Sequence, residues 1–292
     1  MSLSIRDLRR KYEWELNCVL RTCPNEENTG DCIFSLLGEL LWYARSIGDS
    51  SVKIIDVRDF KTIPWDPIGK LMYGLIYSDL PDVLAMGDGF DYTAAKENAE
   101  NFRPQPSLYA PRAIFEFKAL NENPLYMRGG KGHKAGDIKP EDSNREVEKL
   151  MSLVDFDSFR QIGSSLAKKS YKLYYKASGK RALKHALAGI SESYEGITWN
   201  GGQWTVPDEK GKIKICLGQL GKYLLDSHLI CGLEHVVWTN GLWWKTFYQG
   251  QVWGSDIKLD KAQKGYATGG KIEIDCDMFL ALLNRLKTIW MS

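Results

Sequence analysis

Long apolar runs are missing from this sequence. None approaches the ~20 residues that a membrane-spanning helix needs, so no membrane span is predicted. The first ten residues, M-S-L-S-I-R-D-L-R-R, lack the apolar centre of a signal peptide, and an intracellular setting, cytoplasm or nucleus, is expected. An excess of either charge is also missing. The net charge is +2, which excludes a globally basic nucleic-acid binder and confines any such surface to a local patch. Histidines number only four, and Cys18, Cys23, Cys32, Cys216, Cys231 and Cys276 follow no zinc spacing, so the cysteines read as reduced, mostly buried thiols. There is no G-x-x-x-x-G-K-[ST] loop, so an ATP-driven motor would have to be another chain. No internal repeat is visible.

What is present is a globular composition, 43% hydrophobic and 12% aromatic over 292 residues, enough for one large domain or two small ones. Leu8, Tyr12, Leu16 and Val19 fall at spacings of three and four and predict a helix over 4–21. A loop rich in Asn, Glu and Gly follows. Asp31 is placed to cap a second helix over 32–47, which carries Glu39 among apolar neighbours. Strands are predicted at 51–57, at 82–86 after Pro81, and at 113–120. In this last strand, A-I-F-E-F-K-A-L, side chains alternate faces, so Glu116 and Lys118 share one face while Phe115, Phe117 and Ala119 pack on the other. A carboxylate and an ammonium on a buried strand are costly unless paired or bound to something. An ordinary salt bridge on a half-exposed strand is the plain alternative.

Beyond this strand, 121–140 is Gly- and Lys-rich and reads as a mobile loop, and 140–152 and 159–188 have helical composition. Between Asp157 and Glu192 no acidic residue occurs, while Lys168, Lys169, Lys172, Lys176, Lys180 and Arg181 interleave with tyrosines including Tyr174. Basic residues with aromatics suit phosphates and exposed bases; a solvated helix face is the equal alternative. Trp199–Trp204 reads as a hairpin. Residues 212–228 read as an amphipathic helix with Gln219 and Tyr223 one turn apart on one face. Strands at 234–239 and 242–248 flank Asn240-Gly241, a type I′ turn signal. A polar loop at 258–270 and a closing helix at 278–290 complete the chain.

Asp82 after Pro81, then Glu116-x-Lys118, then Gln219-x-x-x-Tyr223, then V-V-W-T-N-G-L-W-W-K-T-F-Y resembles the PD-(D/E)xK nuclease superfamily, the restriction-endonuclease-like fold. The last segment resembles the T-N-G-x-x-W hairpin of type I restriction motor-subunit nuclease domains, and Gln219-x-x-x-Tyr223 the Q-x-x-x-Y motif of the exonuclease branch. The resemblance covers roughly 31–120 and 212–250. It implies an α/β fold with a mixed four- to five-stranded sheet flanked by helices in the order α-β-β-β-α-β. An N-terminal helix at 1–30 would pack on a core formed by 31–120 and 212–292. The segment 121–211 departs from the pattern and is read as a large, mostly helical, basic insertion. Alternatively, the core helix lies at 159–175, with Gln161 in the glutamine's place.

The implied chemistry is phosphodiester hydrolysis with Mg²⁺ or Mn²⁺, DNA ahead of RNA as substrate. A catalytically inactive nucleic-acid-binding module, or an RNA endonuclease of the same fold, is the alternative. Hard cations take few carboxylates and keep their waters. Asp82, Glu116 and the Phe117 carbonyl are the expected ligands, with Glu39 approaching from the helix. Asp88 and Asp91 compete with Asp82, and His133 is a weaker candidate base. Lys118 is expected to orient the attacking water or stabilise transition-state charge, with a pKa lowered by burial and a nearby ion. Gln219 and Tyr223 are expected to hold Lys118 or a substrate phosphate.

Overall fold

The computed structural model describes residues 4–46, 52–56, 81–87, 111–122, 140–176, 185–186, 188–229 and 233–291. Helix α1 (Ile5–Thr22) starts at Ser4, whose hydroxyl accepts the Asp7 amide, and buries Leu8, Tyr12, Leu16 and Val19 as the periodicity predicts. Helix α2 (Glu26–Ser46) begins six residues before the expected start. Asn25, not Asp31, caps it: its Oδ1 accepts the Asn28 amide at 2.8 Å, satisfying a donor that has no partner within the helix.

Strands β1 (Lys53–Asp56), β2 (Val83–Met86) and β3 (Pro111–Phe117) follow. Next come helices α3 (Pro140–Leu153) and α4 (Phe156–Lys176). Asp155 caps α4 by accepting from the Ser158 amide and hydroxyl. Strands β4 (Ser191–Tyr194), β5 (Ile197–Asn200), β6 (Gln203–Asp208) and β7 (Gly211–Cys216) form a separate four-stranded antiparallel sheet. Trp199 pairs with Trp204 across the expected hairpin, and Gly201 and Gly202 supply the positive φ its turn requires. Among its described residues, the segment expected to be mostly helical therefore holds α3, α4 and most of a sheet. The helix expected from Lys212 is instead β7 followed by α5 (Gln219–Leu229).

Strands β8 (His235–Thr239), β9 (Trp243–Tyr248), β10 (Gln251–Val252) and β11 (Ile257–Lys258) precede the final helix α6 (Cys276–Met291). The first sheet runs β1-β2-β3-β8-β9-β10, with β11 also on β9. It is mixed: β8 runs parallel to β3, and the other pairs are antiparallel. The chain is thus α/β, with a mixed sheet and a smaller antiparallel one.

Period-two alternation divides the core. Val83, Ala85, Ala113, Phe115, Phe117, Val237 and Trp244 pack with α1, α2 and α6. Leu84, Met86, Ile114, Val236, Trp238, Trp243 and Phe247 face α3, α4, α5 and the second sheet. Both faces are covered, as the near-continuous burial of β2, β3, β8 and β9 requires.

The loop after β8 differs from a type I′ turn. Gly241 has φ 88° while Asn240 does not have positive φ. Here the Asn240 side chain shapes the turn. Its Oδ1 accepts the Leu242 and Trp243 amides, and its Nδ2 donates to the Glu122 and Gly265 carbonyls. A Cβ on Gly241 would stand 3.1 Å from the Tyr12 hydroxyl, which itself donates to the Gly241 carbonyl. Among the described residues no helix is long and apolar enough to cross a membrane. Of the described cysteines only Cys32 is buried, and Cys23, Cys216 and Cys276 are exposed, contrary to the expectation of mostly buried thiols. Burial pushes the Cys32 thiol up to about 12.

Candidate active site

Antiparallel pairing of Val83 with Phe115 brings Asp82, the residue just before β2, alongside the end of β3. The Asp82 amide donates to the Phe115 carbonyl at 2.9 Å, and its carboxylate accepts the Phe117 amide at 2.7 Å. Asp82 and Glu116 are each 2% exposed. A third carboxylate arrives from α2. The cap at Asn25 starts the helix at Glu26, and the Leu120 amide donates to the Thr29 hydroxyl at 3.1 Å, tying that first turn to the chain leaving β3. One ligand oxygen each from Glu26, Asp82 and Glu116 then lie within 4.8 Å of one another.

Glu116 accepts hydrogen bonds from three side chains. Lys118 Nζ donates to Oε1 at 2.6 Å and Gln219 Nε2 to the same oxygen at 2.8 Å, while the Tyr223 hydroxyl donates to Oε2 at 3.1 Å. Gln219 Nε2 also donates to the Tyr223 hydroxyl at 2.8 Å. Gln219 and Tyr223 therefore hold the Glu116 carboxylate, and Tyr223 is fully buried. Gln219 reaches Glu116, whereas Gln161 is exposed on α4.

Lys118 lies 4.7 Å from the centre of the Trp238 ring, on the strand paired directly with Glu116. Burial is the largest single influence on its pKa and lowers it. The charges of Glu116, Glu26 and Asp82 and the hydrogen bond to Glu116 act against it, and the net direction is upward. Without an ion among the carboxylates, their charges hold the Lys118 ammonium above its usual range, the opposite direction to the depression expected beside a bound cation.

Glu39 does not reach this site. It pairs with Lys11 at 2.7 Å, and at 1.5 Å per residue it lies about 20 Å along α2 from Glu26. Glu26 takes the helix carboxylate's place, and the Pro24-Asn25 start signal marks its position. Trp238 was the other missed residue, visible only through strand register. Phe117 contributes its amide to Asp82. Lys168, Lys169, Lys172, Tyr174 and Lys176 lie on α4. Lys169, about half exposed, pairs with Glu192 of β4. Lys180, Arg181, Asp88, Asp91 and His133 lie outside the described residues.

The donor set suits a hard divalent cation. Around an octahedral ion with bonds of 2.0–2.1 Å, neighbouring oxygens stand about 2.9 Å apart and opposite ones about 4.2 Å, so the three carboxylates would have to draw together to hold Mg²⁺. Fold and cluster together describe an α/β protein with a carboxylate-rich centre at the end of a mixed-sheet strand. The chain matches no protein-family profile, no curated protein and no solved structure.

Proposed function

We propose that this chain is a metal-dependent nuclease that hydrolyses phosphodiester bonds, DNA ahead of RNA. The observation that carries the reading is the convergence of Glu26, Asp82 and Glu116 within 4.8 Å, from three separate elements, with Lys118 bonded to one of them. The element order α2-β1-β2-β3 followed by α5-β8, with β8 parallel to β3, agrees with the order that the restriction-endonuclease-like resemblance implies.

In this reading Asp82, Glu116 and Glu26 hold Mg²⁺ or Mn²⁺, with the Phe117 carbonyl as a further oxygen. The bound ion would supply Lewis-acid stabilisation of the phosphoryl oxygens and a more acidic water. Lys118 presents three N–H donors; Glu116 takes one, leaving two to orient the attacking water and stabilise charge developing on the phosphoryl group. Gln219 and Tyr223 fix the Glu116 carboxylate, keeping its oxygens aimed at one point.

The test is cleavage of plasmid, linear DNA and RNA in Mg²⁺, Mn²⁺ or EDTA. Metal-dependent cutting is expected, and Lys118→Ala should slow it by about a hundredfold or more. Cutting that survives EDTA, or that survives the Asp82→Asn/Glu116→Gln double change, would overturn the assignment. Salt-dependent binding without cutting would favour the inactive binding module, and RNA-only cutting the RNA endonuclease.

A further inference from the structure

Beside the end of β3 lies a cavity of about 270 Å³ whose lining includes Leu242, Lys261, Lys264, Tyr266, Thr268 and Lys271. The loop that forms it is held at many points. Asp260 is 7% exposed, and its carboxylate accepts the Lys264 and Gly265 amides, each at 2.9 Å. Asn240 grips the Gly265 carbonyl. Asn17 both donates to and accepts from the Ile272 backbone. Ordering a Gly- and Lys-rich loop costs conformational entropy, and a loop so fixed offers a preorganised surface to a ligand.

Charge and shape narrow the ligand. Three lysines meet two carboxylates in the lining. Asp260 is engaged by backbone amides, and Glu273 pairs with Lys261 at 3.1 Å. Lys264 and Lys271 are exposed, and the lining as a whole carries an excess of one positive charge, with Lys271 also acting on Glu273. Thr268 adds a hydroxyl, and half-buried Tyr266 an aromatic ring. The volume lies below the ~300–1,000 Å³ of a whole small-molecule site, which fits one nucleotide unit and not a dinucleotide cofactor.

Its position links it to the carboxylates. The Ala267 amide donates to the Leu120 carbonyl at 2.9 Å, four residues beyond Glu116. Four extended residues span at most about 14 Å, so the cavity rim lies within about five 3.4 Å strand rises of the centre. We infer that this cavity is a subsite for a flanking nucleotide of the substrate strand, its phosphate on Lys264 and Lys271 and its base against Tyr266. The inference rests on the nucleic-acid reading proposed above.

The experiment is fluorescence anisotropy of a labelled 12-nucleotide single strand in EDTA, over a salt series, with adenosine monophosphate as competitor. The Lys264→Glu/Lys271→Glu variant should bind about tenfold or more weakly, and its salt slope should fall by about 1.4, two single-strand phosphate contacts. Tyr266→Ala should weaken binding at least about fivefold. The Lys264→Arg/Lys271→Arg pair should bind like wild type, and unchanged melting curves check that all variants fold. Wild-type affinity and slope in the Glu variant overturn the subsite, and if that variant still cuts with Mg²⁺ the nuclease reading survives alone. Lost binding in a chain that cuts nothing with any metal overturns the nuclease reading and leaves the subsite. Displacement of the strand by stoichiometric mononucleotide shows a free-nucleotide pocket and overturns the strand assignment.

Discussion

Glu116 is a carboxylate at 2% exposure that accepts from an ammonium, an amide and a phenol. Such a group costs several kcal/mol to bury alone, so each donor matters more than it would at the surface. Tyr223→Phe removes the charge-assisted bond to Glu116 and the acceptor of one Gln219 bond with little change of shape, and the loss expected in EDTA is at least about 1.5–3 kcal/mol by urea unfolding. A loss below ~0.5 kcal/mol would show that Tyr223 does not support Glu116. The same scale separates Glu26 from Glu39. Glu26→Gln should weaken Mn²⁺ binding, read by calorimetry, by about tenfold or more. Glu39→Gln, which loses only a partly exposed pair with Lys11, should leave it unchanged. Equal effects would undo the placement of the helix carboxylate. Asp82, Glu116, Lys118, Gln219 and Tyr223 were legible because each sits in, or directly next to, a patterned strand or helix. Glu26 was not, because the segment before Cys32 reads as a polar loop until Asn25 is recognised as a cap.

The β8–β9 hairpin shows the same logic for a whole element. His235 opens β8, 2% exposed, with its ring centre 5.1 Å from those of both Tyr248 and Trp253. Burial, reinforced by the Arg112 charge and only partly opposed by a hydrogen bond that the ring donates to the Phe247 backbone, pushes its pKa down to about 4. The folded value lies below the unfolded one near 6.5, so the unfolded chain binds the extra proton between these limits. Stability from this group is complete above about pH 6.5 and is lost as pH falls toward 4, to a total of about 3 kcal/mol. Urea titrations at pH 7 and 4.5 should show wild type losing about 2–3 kcal/mol more than His235→Phe; parallel losses would clear His235. The neighbouring misreading has a physical cause too. K-I-K-I-C alternates at period two over 212–216, but the apolar residues that follow at Leu217 and Leu220 extend a helical period backwards across it. The strand pairing of β7 with β6 is a nonlocal choice that the segment alone does not declare.

At the scale of the whole molecule, the first sheet separates two cores, one against α1, α2 and α6 and one against α3, α4, α5 and the second sheet. The carboxylates come from both sides of that division: Glu26 belongs to α2, while Glu116 points with Ile114 toward α5. This division was only half legible in the sequence. Alternation in β3 predicted the two faces correctly, but the strands of the second sheet are four to six residues long and rich in polar residues, so composition there mimicked an irregular insertion. The arrangement has a thermodynamic consequence. The three side chains meet only when α2, β2 and β3 are assembled, so a cation bound by all three binds the folded chain and not the unfolded one. Linkage then requires divalent ions to stabilise the fold by RT ln(1 + [L]/Kd), about 2.7 kcal/mol at a hundredfold excess over Kd. For a chain of this size that corresponds to a rise in Tm of roughly 5 °C or somewhat more. Scanning calorimetry in EDTA and in millimolar Mn²⁺ reads it directly. Asp82→Asn and Glu26→Gln should each shrink the rise, although one lies at a buried strand and the other on an exposed helix turn, because they serve one ion. A rise that persists in both variants would place the ion elsewhere, and the absence of any rise in wild type would mean that the three carboxylates converge without binding one.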